Sequence, residues 1–84
     1  LKKIKSYMST VSFEIFVKQF KETLEISGDY FFNSELKDIK EYDSVGKIKI
    51  SLLIEDIFNF QIELDMLIEK KDLRSLYEYC VSKS

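Results

Sequence analysis

At 84 residues, with 45% apolar positions, two Gly and no Pro, the chain has room for one domain and few turn formers, which favours helices over a many-turned β fold. Its 13 Lys and Arg against 15 Asp and Glu give a net charge of −2, too neutral for a general nucleic-acid binder, which would show a basic domain. There is no histidine and one cysteine, Cys80, so the chain alone can build no disulfide, no Ser–His–Asp or Cys–His machinery and no usual transition-metal cluster, and an enzyme is not expected.

Leu1 to Tyr7 are lysine-rich but lead into no apolar core of the kind a signal peptide needs, and no apolar run reaches membrane-spanning length. A cytoplasmic protein is the expectation. Met8 is either a true start with extra residues before it, or the chain is trimmed; the sequence leaves both open. Residues 1–11 read as an N-terminal extension to a domain over 12–82.

Phe13, Phe16, Val17, Phe20 and Leu24 fall at i, i+3, i+4, i+7 and i+11, one face of an amphipathic helix. With Ser12 as N-cap and Gly28 as stop, the first helix is predicted over about 12–27. The segment 28–43 is long for a loop, and its Tyr30, Phe31 and Phe32 need somewhere to pack. A short helical turn near Ser34–Glu41, using Leu36 and Ile39, would lay it across the helices.

The second helix is predicted over Ser44–Asn59, opening on Asp43 and Ser44. Residues spaced at about 100° give two apolar stripes. Ile50, Leu53, Ile54, Ile57 and Phe58 form a broad one, the natural core face. Val45, Ile48 and Leu52 form a narrow one on the far side, flanked by Lys49, Glu55 and Asp56, with Lys47 further round. An apolar strip with a charged rim suits a docking surface; a small bundle surrounding the helix on all sides would read the same way. Phe60 and Ile62 anchor a connection, and Leu64, Leu67 and Ile68 mark a brief third helix. Asp72 caps a fourth, whose Leu73, Leu76, Tyr77, Cys80 and Val81 again share one face. Cys80 is therefore expected to be a buried structural thiol.

From Tyr42 to Phe60 the chain reads YDSVGKIKISLLIEDIFNF. This resembles the acyl carrier protein family, whose modification motif is Asp-Ser followed by an aliphatic residue at the start of the second helix. Ile50, Ile54, Glu55, Asp56 and Phe58 match the family's spaced aliphatics, acidic pair and Phe. The resemblance covers about 12–82, with its specific residues within 42–60. It implies an all-α fold, a small four-helix bundle with three longer helices, a short third helix and a long loop between the first two.

The resemblance further implies a non-catalytic carrier, with Ser44 as the attachment point for 4′-phosphopantetheine delivered from coenzyme A by a phosphopantetheinyl transferase. Asp43 would help present Ser44, and Val45, Ile48, Lys49, Leu52, Glu55 and Asp56 would form the face read by partners. Those partners are a ligase that loads an acyl or aminoacyl group and the enzymes that process it, with the carrier itself a monomer. Read from the residues alone, Ser44 is equally a helix N-cap and Asp43 a helix-dipole partner. The chain departs from the family's strongly acidic second helix by placing Gly46, Lys47 and Lys49 in its first turns. Val45 stands where Leu or Met is commoner, and the Gly-Gly of many peptidyl carriers does not precede the serine. The milder charge favours a dedicated carrier over the general carrier of fatty-acid synthesis, the missing Gly-Gly speaks against a nonribosomal peptide module, and a carrier resembling the D-alanyl type stays open. The alternative from another class is a helical protein–protein interaction module without a prosthetic group.

Overall fold

In the computed structural model, which describes residues 11–83, Ser12 opens the first helix by accepting a hydrogen bond from the Ile15 amide at 3.1 Å. This helix, α1 (Phe13–Leu24), turns Phe16, Phe20 and Leu24 into the core. It stops three residues before the predicted end. Glu25 takes the left-handed conformation (φ 56°) and donates to Glu22 O, while the Ile26 amide reaches back to Lys21 O. This pair of bonds is a Schellman ending, found more often on glycine. Gly28, expected to stop the helix, lies beyond it with φ 79°.

Three further helices follow: α2 (Ser44–Phe58), α3 (Leu64–Glu69) and α4 (Leu73–Lys83). The described residues thus form a small all-α domain of four helices, with no strand among them. Helix α2 ends one residue before the prediction, where Asn59 adopts φ 62° and its amide bonds Glu55 O. Asn tolerates that conformation better than most residues. Helix α4 begins as expected, with the Asp72 carboxylate accepting from the Ser75 amide at 2.9 Å. The predicted N-terminal extension over 1–11 and the question of Met8 lie, apart from Val11, outside the described residues.

Helix α2 packs on α1, α3 and α4, and α4 also meets α1. The core between them is aromatic: the Phe16 ring lies 5.9 Å from Phe58 and 6.3 Å from Phe20, and Phe20 stacks on Phe31 at 6.1 Å. Leu67, Leu76 and Cys80 complete it from α3 and α4. Rings packed tilted or edge-on gain somewhat more than their buried area alone supplies.

The segment from Glu25 to Asp43 is wound into two 3-10 turns, Tyr30–Asn33 and Leu36–Asp38. As expected, it lies on the bundle, with Phe31, Leu36 and Ile39 buried. Of the aromatic trio only Phe31 is buried; Tyr30 and Phe32 stay exposed, and the Tyr30 hydroxyl bonds the Glu41 carboxylate. The Leu36 amide donates to Lys71 O at 2.8 Å, tying the segment to the α3–α4 connection. Among the described residues no buried side-chain nitrogen or oxygen lacks a hydrogen-bond partner.

Candidate functional site

The start of α2 is built by Asp43, Gly46 and the segment leading into them. The N-cap is Asp43: its backbone is extended and its carboxylate accepts from the Gly46 amide at 2.8 Å. Ser44 is therefore the first helical residue and is exposed, which corrects the reading of its hydroxyl as the cap. Two residues on, Gly46 is buried because the chain folds back onto it. A Cβ there would stand 2.1 Å from Glu41 O and 3.2 Å from Leu24 Cδ2, so no side chain fits without moving backbone. A glycine inside a helix costs about 1 kcal/mol relative to alanine, and this close approach is what requires it.

Tyr42, just before the cap, is the anchor of this corner. Its ring is buried, and its hydroxyl donates to Leu67 O at 2.9 Å, joining the loop to α3. Burial pushes its phenol well above the usual range, with a smaller contribution from Cys80. Lys47 turns back over this residue, its Nζ 3.1 Å from Tyr42 O and 4.9 Å from the ring centroid. Lys47 is thus committed within the domain and half-buried. Leu36, Ile39 and Tyr42 recur at three-residue spacing, a signal in the sequence that would have placed Tyr42 in the core.

Both stripes of α2 are where the periodicity placed them. Ile50, Ile54 and Phe58 are buried and Leu53 and Ile57 half-buried, while Val45, Ile48 and Leu52 are 60%, 51% and 61% exposed. No other described element surrounds the narrow stripe. At its Leu52 end, Lys49, Leu52, Glu55 and Asp56 line a shallow, open groove of about 590 Å³ that Thr23 of α1 also borders. Ser44, Val45 and Ile48 do not line that groove; they continue the same helix toward its N-terminus. Lys49, Glu55 and Asp56 take part in none of the ion pairs found among the described residues.

Three apolar residues that the sequence grouped with buried neighbours are exposed. Leu64 and Ile68 of α3 are exposed, with only Leu67 of that helix fully buried. Val81 likewise sits outside the core that Leu73, Leu76 and Cys80 join. Cys80 is buried as expected, and burial pushes its thiol up to about 12. Among the described residues, no helix is long and apolar enough to cross a membrane. Compared with known proteins, the chain matches no family model, no curated protein and no solved structure.

Proposed function

We propose that this chain is a non-catalytic carrier of the acyl carrier type, with Ser44 bearing a 4′-phosphopantetheine arm. The observation that carries the reading is the division of labour at the start of α2. Asp43 caps the helix, which leaves the exposed Ser44 hydroxyl uncommitted at the head of an exposed apolar strip. A helix N-terminus favours the phosphate that a modified serine would hold there, through its unpaired amides and dipole. Ser44 Oγ would form a phosphodiester with the pantetheine-side phosphorus of coenzyme A as the pyrophosphate bond breaks, adenosine 3′,5′-bisphosphate leaving and the serine proton passing to the transferase. When attached, the arm supplies a thiol that holds acyl or aminoacyl groups as thioesters.

The chain's own residues present that arm. Asp43 fixes the first turn, Gly46 lets the preceding segment pack against it, and Tyr42 ties that segment to α3. Val45, Ile48 and Leu52 offer a dry contact to the transferase, the loading ligase and the processing enzymes, with Lys49, Glu55 and Asp56 on its rim. The carrier acts in this reading as a cytoplasmic monomer serving one pathway, and its helices take the acyl-carrier arrangement.

Intact-mass analysis after incubation with coenzyme A and a broad-specificity phosphopantetheinyl transferase tests the proposal. The expected product carries one arm on Ser44, and Ser44→Ala carries none. An unmodified chain, or an arm mapped to Ser51 or Ser75, would leave an interaction module that uses the same strip without a prosthetic group.

A further inference from the structure

The charges of α2 are sorted along its axis. Lys49 stands in the second turn, Glu55 and Asp56 in the last, and the exposed Leu52 lies between them. Lys47, the other basic residue of the helix, is turned inward onto Tyr42 and so contributes no free charge to this face. Six to seven residues at 1.5 Å each separate the cation from the carboxylates by about 10 Å. Across the groove stands Thr23, which has no charge to offer either group. The face therefore shows a cation and an acid pair, both without a partner in any ion pair found, beside an apolar strip.

We propose that the protein partner seated on α2 carries an acidic group opposite Lys49 and a basic group opposite Glu55 and Asp56. The inference rests on the carrier reading and names the chemistry of its partner. A surface of one sign satisfies one end of the helix and meets like charge at the other. A uniformly basic patch is repelled by Lys49, and a uniformly acidic one by the carboxylates. Rim charges of this kind govern encounter rate and reject wrong partners, through an attraction that salt screens. A nucleic-acid backbone or an anionic membrane presents a single sign and fails the same condition.

The test follows attachment of the arm to Ser44 by two transferases, read by mass at low and high salt. One has broad specificity; the other is selective for strongly acidic carriers and docks through a basic surface. Lys49→Glu should raise kcat/KM with the selective enzyme by about tenfold at low salt, and high salt should remove most of that gain. Reversing the other end, with Glu55→Lys and Asp56→Lys together, should lower the same parameter by a similar factor. These three side chains are exposed, so each variant is expected to keep its fold, which a thermal melt of each checks. If Lys49→Glu changes kcat/KM by less than about twofold at low salt, or by an amount that salt does not reduce, the charge inference is overturned. Modification of the wild type by the broad-specificity enzyme would then leave the carrier reading standing. Failure of that enzyme to modify the wild type at all overturns both.

Discussion

Asp43 and Ser44 are neighbours of which only the first caps the helix, and a pair of substitutions can tell them apart. Removing the Asp43 carboxylate leaves the Gly46 amide without its acceptor, so Asp43→Ala should cost about 1 kcal/mol of stability. Ser44→Ala removes an exposed hydroxyl that caps nothing, and should stay within about 0.5 kcal/mol of wild type. Urea melts of the two variants measure this, and a larger loss for Ser44→Ala would return the cap to the serine. The Asp-Ser pair was legible in the sequence as a helix start, but which of the two capped it was not. Both residue types serve as N-caps, and the choice falls to backbone geometry: Asp43 keeps an extended ψ of −164° while Ser44 is already helical. Gly46 was illegible for a related reason. Its necessity comes from the carbonyl of Glu41 five residues earlier, and no local pattern announces that the chain will fold back so closely.

Helix α2 shows what periodicity can deliver on the scale of an element. Its two apolar stripes, their sizes and their opposite facing all follow from the spacing of Val45 to Phe58 in the sequence. Phe58 touches both Phe16 and Tyr77, so Phe58→Ala should destabilise the domain by roughly 3–5 kcal/mol. Leu52→Ala, on the exposed strip, should change stability by less than about 0.5 kcal/mol. Equal losses in denaturant melts would mean that the narrow stripe is packed against something in solution. The ends of helices were less legible than their faces. Helix α1 stops at Leu24 because Glu25 takes a left-handed conformation, and nothing in glutamate's own preferences favours that. The ending is set instead by Ile26, which is drawn into the core and bonds Lys21 O.

Taken as a whole, the domain keeps two ionisable groups neutral in its interior, and this gives its stability an alkaline edge. The Cys80 thiol is pushed by burial from about 9 up to about 12, and burial moves the Tyr42 phenol in the same direction. Below about pH 9 folded and unfolded chains hold both protons, so neither group makes stability depend on pH. Above it the unfolded chain loses the Cys80 proton while the folded one keeps it, and stability falls by up to about 1.4 kcal/mol per pH unit, with Tyr42 adding from about pH 10. Denaturant midpoints from pH 8 to 11 should decline accordingly, and less steeply in Cys80→Ala; parallel slopes would show that the thiol is not the source. The packing of 25–43 over the helices was legible in outline from its aromatic content, whereas its moorings to Lys71 O and Leu67 O were not, because both are carbonyls far along the chain. One other long tie has a kinetic consequence. The Tyr77 hydroxyl donates to Val11 O at 2.6 Å across 66 positions of sequence. Closing a loop of that length costs on the order of 3–4 kcal/mol in chain entropy, so the bond is expected to form only after the helices between its ends have paired. An interaction absent from the folding transition state acts on unfolding alone. Tyr77→Phe keeps the ring against Phe13 and Phe16, and should therefore speed unfolding about fivefold while leaving refolding unchanged in stopped-flow traces; a slower refolding arm would place this contact in the nucleus instead. The hydroxyl is a clasp, setting how long the domain keeps its shape and not how fast it finds it.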